Sequence, residues 1–430
     1  MSYRRRDKHD DSPQEDSGAS KDDFSHSKDD NRHSPYFVAK RHHTSVATHL
    51  GSIHYQALAL VFVAWLAALH YFERIEVASV INKCQWTNWE LWPLGTEPHR
   101  VAFLADPQIV DEYSYEGRPA LLNYIIRRIA DNYLHRNHRY IQQVLDPHTT
   151  IFLGDLFDGG REWDDDVWLN EYRRFNAVFP KQANRRTINI VAGNHDIGFE
   201  KIDHHVLHRF AQYFGDLNDY VELGNHTLVF LDTISLSHPD PVVNAAPKQF
   251  LDTINDKINT KFPRILLLHV PLYRFNDKSP CGPLREKQTP FPIQKGKQYQ
   301  TVIEYDISQK VLATINPVVL FAGDDHDYCD IHQFYTFEDE LRIAREIAAK
   351  SCAMTSGIKY PAIQLLSLNN PVDGHLNPID SVGKPAGSSY PRNDLRSSDS
   401  TFTYNTELCY MPNPYKSLRV YGLIFESSAG

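Results

Sequence analysis

The chain has 430 residues, of which 41% are hydrophobic and 23% are charged, and its formal net charge is −9. This length accommodates one large domain or two ordinary ones with ample core. The negative charge argues against a nucleic-acid surface, so no nucleic acid is expected as a partner. Five cysteines allow at most two disulfides and one free thiol. None of them forms a C-x-x-C pair, which disfavours a cysteine zinc site.

A polar tail and an apolar segment open the chain. Residues 1–50 are rich in Ser, Asp, Lys, Arg and His, and such a segment cannot bury enough apolar surface to order, so we predict a disordered cytosolic tail. Residues 55–72 carry no formal charge and have aromatic residues at both ends, which predicts a transmembrane helix within 51–74. A buried core helix and a cleaved signal peptide are the alternatives. The long leader and the lack of a small-residue cleavage site disfavour the signal peptide.

The charges beside this segment predict its orientation. Its amino side is basic, whereas its carboxyl side mixes acidic and basic residues. The positive-inside rule therefore places the tail in the cytosol and the rest of the chain on the lumenal or extracellular side. The basic residues concerned are Arg32, Lys40 and Arg41.

Strand and helix patterns alternate from residue 98 onwards. Apolar runs predict strands at 101–105, 151–153, 188–192, 227–231, 265–268 and 318–321. Helical periodicity predicts helices at 119–134, 206–214, 250–258 and, as a charged amphipathic helix, 338–350. This alternation indicates an α/β domain over 98–370. Residues 371–430 are predicted to form a loop-rich carboxyl-terminal extension.

Polar side chains follow the apolar runs directly. They are Asp106, Gln108, Asp155, Asp158, Asn194, His195, His269, Asp324 and His326. Because the carboxyl ends of parallel strands meet at one edge of a sheet, we expect these side chains to converge. Oxygen and nitrogen donors without a thiolate suit Mn²⁺, Fe²⁺ or Zn²⁺. Two such ions about 4 Å apart, bridged by a carboxylate, would clamp a phosphate group.

The same blocks resemble the calcineurin-like metallophosphoesterases. The matching blocks, in order, are Asp106-x-Gln108, Gly154-Asp155-x-x-Asp158, Gly193-Asn194-His195-Asp196, His269 and Gly323-x-x-His326. The resemblance implies an α/β (α+β) fold, a four-layer β-sandwich flanked by helices, and an enzyme that hydrolyses phosphoric esters.

The resemblance also implies roles for these residues. One divalent ion would be bound by Asp106, Gln108, Asp155 and His326. The other would be bound by Asp155 as a bridge together with Asn194, His269 and Asp324. As catalytic residues, His195 would protonate the leaving group or steady the transition state, and Asp196 would orient His195.

Two positions depart from the usual pattern of this family. Gln108 stands where the first block usually has a histidine, and Asp324 stands where the last block usually has one. Both changes replace nitrogen by oxygen, so the harder ligand set should favour Mn²⁺ over Zn²⁺ or Fe²⁺. They leave open whether Gln108 binds a metal.

Four residues beside the blocks are candidates for binding substrate phosphate. They are Arg118, Arg161, Tyr273 and Arg274. Arginine pairs well with phosphate oxygens. A structural salt bridge is the alternative reading of each arginine.

The segments around Gln108 and Asp324 resemble a narrower group within this family. Segments 105–111, 113–119 and 323–329 are similar to the fungal membrane phosphoesterases of the cell-division-control type, whose animal counterparts remodel GPI anchors. This resemblance implies an enzyme of the endoplasmic reticulum or early secretory membrane, with a lumenal catalytic domain. It would remove ethanolamine phosphate from a mannose of the GPI glycan and support ER-to-Golgi transport of GPI-anchored proteins.

The narrower resemblance leaves alternatives open. The GPI glycan, the GPI-anchored protein and the membrane are the implied partners. A general metallophosphatase or nucleotidase of the secretory pathway, and a catalytically degenerate cargo-binding module, are the other readings. A second membrane helix is also implied near the carboxyl end, so that either the topology of this chain differs from that of the group or its sequence is truncated or mispredicted there.

Overall fold

The computed structural model describes residues 55–115, 117–275, 280–377, 379 and 402–429. The predicted disordered tail, residues 1–50, lies outside the described residues, as does most of the Pro- and Ser-rich stretch before residue 402.

The first described element is a long apolar helix. It comprises α1 (Tyr55–His70), a π-helical segment and α2 (Glu76–Asn82). None of the α1 side chains is buried, whereas α2 buries Val77 and Ile81. Within the described part of the chain, it is the one helix long and apolar enough to cross a membrane. The helix continues past the predicted end at residue 74 because its last turns pack against the domain.

Two β-sheets form the centre of the domain. The first sheet has strand order β13-β12-β1-β2-β3 and the second has order β10-β11-β9-β6-β5-β4, while β7 and β8 form a small hairpin. Strands β1, β2 and β3 run parallel, as do β5, β6 and β9. The strands are β1 (His99–Leu104), β2 (Thr149–Phe152), β3 (Arg186–Ile188), β4 (Asp219–Leu223), β5 (His226–Phe230), β6 (Arg264–Leu267), β7 (Lys295–Gly296), β8 (Tyr299–Gln300), β9 (Val319–Ala322), β10 (Cys329–Phe337), β11 (Glu340–Ala348), β12 (Ala362–Leu368) and β13 (Tyr404–Tyr410).

The sheets pack face to face, and helices cover their outer faces. Between the sheets, the rings of Phe103 and Phe321 lie 4.6 Å apart. On the outer face of the first sheet, Phe152 contacts Phe175 of helix α4 (Asp165–Val178). The predicted sandwich flanked by helices is confirmed. The remaining helices are α3 (Ala120–Tyr140), α4 (Asp165–Val178), α5 (Asn194–Ile197), α6 (His204–Phe214), α7 (Thr233–Ser237), α8 (Pro241–Lys257), α9 (Tyr305–Ile315) and α10 (Pro414–Ala429).

The helix predicted at 338–350 is wrong, because this segment forms strand β11. Glu338 and Asp339 adopt positive φ and make the turn of a hairpin, and β11 then pairs with β10 on one side and β9 on the other. The Glu, Leu, Arg and Ala residues of the segment favour a helix by local propensity. Two flanking strands override that preference, because sheet pairing here satisfies the backbone on both sides.

Two disulfides tie distant segments together. Cys84, just after α2, is bonded to Cys409 of β13, and Cys281 is bonded to Cys329 at the start of β10. Cys352 is buried with a free thiol. Strand β13 comes from beyond residue 370, so the first sheet draws on the segment predicted to be loop-rich.

Candidate metal centre

Three ligand-type side chains converge at the carboxyl edge of the sandwich. One ligand atom each of Asp106, Asp155 and His269 lie within 4.8 Å of one another, and all three residues are buried. Nε2 of His269 lies 3.3 Å from Oδ1 of Asp155 and 3.7 Å from Oδ1 of Asp324. The strand ends therefore bring together residues separated by more than 200 positions in the chain, as the sequence predicts.

The backbone turns sharply where these side chains leave the strands. Five predicted ligands have positive φ, namely Asp106, Gln108, Asp155, Asp324 and His326. Non-glycine residues rarely adopt this conformation, and such residues cluster at functional sites. Hydrogen bonds between the loops hold it, for example from the amide of Gln108 to the carbonyl of Asp155 at 2.9 Å.

Two glycines make the close approach of these loops feasible. A Cβ on Gly193 would lie 2.0 Å from Oδ1 of Asp155. Gly154 has φ +89°, and a Cβ there would lie 2.4 Å from Nδ1 of His269. A side chain at either position would displace a predicted ligand, which explains why both motifs contain glycine.

The donor atoms at the site fit divalent cations. Oδ2 of Asp106, Oδ1 of Asn194 and Nε2 of His269 are buried without a hydrogen-bond partner among the described residues. Native structures rarely leave such atoms unpaired. Neighbouring backbone fixes the other end of His269 and Asn194, because Nδ1 of His269 donates to the Leu153 carbonyl at 2.8 Å and Nδ2 of Asn194 donates to that of Gln298 at 3.2 Å. A hydrogen bond from one ring nitrogen to a backbone carbonyl is the usual way in which a metal-binding histidine is oriented, and Nε2 of His269 accordingly lies near Asp155 and Asp324.

The other predicted ligands line the same edge. Nε2 of Gln108 donates to Oδ2 of Asp155 at 2.8 Å, which leaves its amide oxygen as the atom that could bind a metal. Nδ1 of His326 contacts the Ser356 carbonyl at 3.1 Å, so Nε2 is the free nitrogen. The amide of Asp324 donates to Oδ1 of Asp106 at 2.9 Å. The metal roles of these residues stay predictions.

Burial among like charges shifts the titration of the carboxyl groups. Burial raises the pKa of Asp324 to about 7 and, with the Asp155 charge, raises that of Asp106 well above its usual range. Burial alone would raise the pKa of Asp155 too, but the charges of His269 and His195 lower it. Crowded, desolvated carboxylates of this kind bind a divalent cation readily, since its charge compensates theirs.

The histidines respond differently to the same surroundings. Burial lowers the pKa of His326 to about 4, which keeps the ring neutral at pH 7. Burial would also lower the pKa of His269, but the charges of Asp155, Asp106 and Asp324 and a hydrogen bond with Asp155 together outweigh it and raise that pKa. A metal ligand must be neutral imidazole, which the His326 site already favours.

His195 stands beside the ligand cluster, and Asp158 orients it. Nδ1 of His195 lies 2.6 Å from the carbonyl oxygen of Asp158 and 3.4 Å from its carboxylate. Asp196 points elsewhere: its carboxylate accepts from the amides of Leu156, Phe157 and Gly193 at 2.9 to 3.1 Å. The orienting contact therefore comes from Asp158, not from Asp196 as predicted. Asp196 instead fastens the two motif loops together.

The four predicted phosphate-binding residues occupy different surroundings. Nη1 of Arg161 donates to the carbonyl of Asn194 at 3.0 Å, which places it beside the site. Arg118 is exposed, with its guanidinium 4.1 Å from the ring centre of Tyr115. Tyr273 is half-buried and packs against the aromatic ring of Tyr305.

Arg274 has a structural contact in place of the predicted phosphate contact. Its side chain is fully buried and forms an ion pair with Glu346 at 2.8 Å. The guanidinium also lies over the ring of Phe291 at 4.1 Å. A guanidinium held this way in the interior cannot reach a substrate without breaking a buried ion pair, which is costly.

Segment 280–300 supports the site through contacts that its residue types alone do not predict. Its Gln298 carbonyl orients Asn194, and its Arg285 forms a buried ion pair with Asp325, next to Asp324. The disulfide from Cys281 anchors the same segment just beyond the last motif. A long Pro- and Lys-rich loop directly after a predicted ligand was the available signal.

Comparison with known proteins places the chain in a family. A family model described as calcineurin-like phosphoesterase matches residues 99–328. Cell division control protein 1 of Saccharomyces cerevisiae is 50% identical over 380 residues, covering 87% of this chain and 74% of that protein. Metallophosphoesterase 1 of Mus musculus is 24% identical over 301 residues, covering 64% and 72% of the two chains.

A solved structure shows a more distant likeness. Purple acid phosphatase from yellow lupin aligns with a TM-score of 0.40 and 11% identity, covering 73% of this chain and 54% of that one. This likeness is too distant to carry an argument. The family model and the yeast relative suffice: the chain belongs to the calcineurin-like phosphoesterase family and is an enzyme that hydrolyses phosphoric ester bonds.

Proposed function

We propose that this protein is a two-metal phosphodiesterase that removes ethanolamine phosphate from a mannose of the GPI-anchor glycan. In this role it supports the export of GPI-anchored proteins from the endoplasmic reticulum. The observation that carries the hydrolytic part is the convergence of buried ligand atoms of Asp106, Asp155 and His269 at one strand edge. Oδ2 of Asp106 and Nε2 of His269 have no hydrogen-bond partner among the described residues. The substrate follows from the resemblance of the Gln108 and Asp324 blocks to the GPI-remodelling group.

The proposed cofactors are two divalent ions, with Mn²⁺ preferred over Zn²⁺ or Fe²⁺. The ions would be held by the ligand sets that the resemblance implies, with Asp155 between them. Gln108 and Asp324 supply oxygen donors, which are harder than imidazole nitrogen and suit Mn²⁺. Ions in this position would supply Lewis acidity toward a phosphate ester.

A side chain of the protein would supply the proton that the leaving oxygen needs. As water adds to phosphorus, the bond from phosphorus to the mannose oxygen breaks, and that oxygen needs a proton. Nε2 of His195 would donate it, because Nδ1 is held by Asp158 and Nε2 is the nitrogen left to face a substrate. Arg161, fixed by the carbonyl of Asn194, would bind a phosphate oxygen at the rim.

Two features support a lumenal membrane enzyme. The helix Tyr55–Asn82 has the length and composition to cross a bilayer, and basic residues precede it. The domain after it contains the disulfides Cys84–Cys409 and Cys281–Cys329. Disulfides persist in the oxidising lumen and are rare in the cytosol.

Mass spectrometry of GPI glycans tests this function. Cells lacking the enzyme would be complemented with the wild-type chain or with Asn194→Ala. We expect the wild type to remove ethanolamine phosphate and the variant to leave it in place. The proposal is wrong if Asn194→Ala restores trimming. It is also wrong if the purified wild type hydrolyses an aryl phosphate but leaves the glycan intact, which would indicate a general phosphatase.

A further inference from the structure

Helix α3 carries an apolar stripe on its exposed face. Leu121, Ile125 and Ile129 are four residues apart and therefore share one face. Helices α4, α6, α8 and α9 each expose at most one large apolar side chain, whereas the carboxyl-terminal helix α10, like α3, exposes several. A contiguous exposed patch of this kind indicates a binding surface. The α3 stripe consists of Leu121, Leu122, Tyr124, Ile125 and Ile129, which are 36% to 71% exposed.

The carboxyl-terminal end of the α3 stripe meets the membrane-length helix. Asn132, exposed on the same face one turn after Ile129, donates to Oε2 of Glu73 at 3.0 Å. Arg136 forms an ion pair with Oε1 of Glu73 at 2.8 Å. Glu73 lies three residues past the end of α1. The stripe therefore starts close to the point where α1 ends and extends roughly 12 Å along α3 at the usual helical rise.

The composition of the stripe suits the boundary between lipid headgroups and acyl chains. It combines leucine and isoleucine side chains with Tyr124, and Tyr113, which is 70% exposed, lies near the amino end of the helix. Arg128 is exposed within the same stretch. Aromatic rings and arginines with apolar stems are enriched at membrane interfaces, where the charged head reaches the phosphates.

We propose that the α3 stripe docks on the surface of the bilayer that α1 crosses. The proposal depends on α1 as the membrane span and does not depend on the GPI substrate. The contacts of α3 with Glu73 place the stripe directly beside the end of α1. If α1 spans the membrane, the stripe adjoins a surface that contacts lipid, which favours the bilayer over a second copy of the chain or another protein.

Docking would also position the catalytic site. The amino end of α3 holds the loop that follows Gln108, since Nδ2 of Asn123 donates to the carbonyls of Glu112 and Tyr115 at 3.2 and 3.3 Å. A docked α3 would therefore keep one rim of the site close to the bilayer. This favours phosphoesters carried by a lipid anchor over soluble ones, a consequence that rests on the proposed function.

Spin labelling of the full chain tests the docking directly. A nitroxide would be attached at Ile125→Cys and, as the matched control, at Leu341→Cys, since Leu341 is 66% exposed on β11. The native cysteines do not compete, because four are in disulfides and Cys352 is buried. Each labelled chain would be placed singly in phosphatidylcholine nanodiscs. Collision rates with oxygen and with a water-soluble nickel chelate would then be measured.

The two reagents separate the outcomes. We expect the label at Ile125 to collide severalfold more with oxygen and severalfold less with nickel than the label at Leu341. Equal accessibility at both positions would place the stripe in water and overturn the proposal. Shielding of the Ile125 label from both reagents would mean that protein covers the stripe, which also overturns it.

A double variant tests the consequence for catalysis. Leu121→Glu with Ile125→Glu should raise KM severalfold for a phosphodiester borne by a lipid in vesicles, and leave kcat/KM for a soluble aryl phosphodiester unchanged. Unchanged kinetics on the lipid-borne substrate would refute the positioning role. Because the soluble substrate reports the chemistry separately, that result would leave the proposed hydrolytic function standing.

Discussion

The two edges of the β-sandwich carry similar side chains with opposite hydrogen-bonding states. At the carboxyl edge, Nε2 of His269 is buried with no hydrogen-bond partner among the described residues. At the amino edge, both ring nitrogens of His226 are occupied, by the Gly224 carbonyl and the Thr403 hydroxyl at 2.8 Å each. His99 is likewise bonded to the Thr149 hydroxyl at 2.9 Å.

The titration of these histidines follows the same division. Burial lowers the pKa of His226 and of His99 to about 4, so both rings are neutral structural groups. Burial also acts to lower the pKa of His269, but the neighbouring carboxylates, Asp155 foremost, together outweigh it and raise that pKa. A polar cleft of about 360 Å³, lined in part by His99 and His148, lies at the amino edge. What distinguishes the carboxyl edge is therefore the close cluster of ligand atoms on Asp106, Asp155 and His269, not the presence of histidine or of a cavity.

The largest expected effect comes from removing the carboxylate at the centre of the reactive edge. Asp155 accepts hydrogen bonds from Gln108 and from the amide of His195. Asp155→Ala should lower kcat/KM by roughly a thousandfold, since metal stabilisation of charge is worth several kcal/mol. Steady-state kinetics on an aryl phosphodiester measures this loss.

Asp232→Ala is the matched control for that variant. Asp232 also follows a parallel strand, but its carboxylate caps helix α7 by accepting from Ser235 at 2.9 Å. Its removal should cost about 1 kcal/mol of stability and leave kcat/KM near the wild-type value. If both variants lost kcat/KM to a similar extent, the assignment of Asp155 as a metal ligand and of Asp232 as a helix cap would be contradicted.

The next effect concerns proton transfer. His195→Ala should lower kcat by roughly 10²-fold to 10⁴-fold. It should not remove bound metal, because the imidazole contacts Asp158 and not the buried ligand atoms that lack hydrogen-bond partners. Kinetics and elemental analysis on the same sample measure both quantities. Loss of metal together with activity would show that His195 belongs to the ligand cluster.

A smaller effect should appear in metal preference. Gln108→His restores the nitrogen donor usual in the family and softens the ligand set. The ratio of Zn²⁺-supported to Mn²⁺-supported activity should rise relative to the wild type, as measured after reconstitution with each ion at equal occupancy. An unchanged ratio would indicate that Gln108 acts only through its hydrogen bond to Asp155.

The smallest effect is expected at the amino edge. His226 has a pKa near 6.5 when unfolded and about 4 when folded. The unfolded chain therefore binds more protons between these values, and the stability present above pH 6.5 is lost as pH falls toward 4. At pH 5 this loss is about 2 kcal/mol.

His226→Gln removes that proton uptake. Its free energy of unfolding should fall less between pH 7.5 and pH 5 than that of the wild type, with catalysis unchanged. Denaturant titrations at the two pH values measure the difference. If both chains lose equal stability, His226 is not the acid-sensitive group at this edge.

The parts of the molecule that the sequence predicts are those encoded locally. Most of the parallel strands coincide with apolar runs that end directly before polar side chains, so Asp106, Asp155 and His269 can be identified from the sequence. Strand β3 (Arg186–Ile188) is the exception, because it overlaps the run predicted at 188–192 only at Ile188. The segment 338–350 misleads because its helical composition is overridden by pairing with strands on both sides.

Contacts between residues far apart in the chain could not be predicted from the sequence. Asp158 meets His195 across 37 positions and Gln298 meets Asn194 across 104. Both use backbone carbonyls, which leave no mark on residue type. Arg274 illustrates the opposite error. Its residue type suggested a phosphate contact, but its side chain forms a buried ion pair with Glu346.

Metal content per chain tests the central proposal most directly. Inductively coupled plasma mass spectrometry of the purified full chain should give two divalent ions per wild-type chain, and fewer than one for Asp155→Ala because the bridge between the proposed sites is gone. The Asp232→Ala control should retain both ions. No more than one ion in the wild type, or equal content in the wild type and Asp155→Ala, would contradict a dinuclear centre at the carboxyl edge.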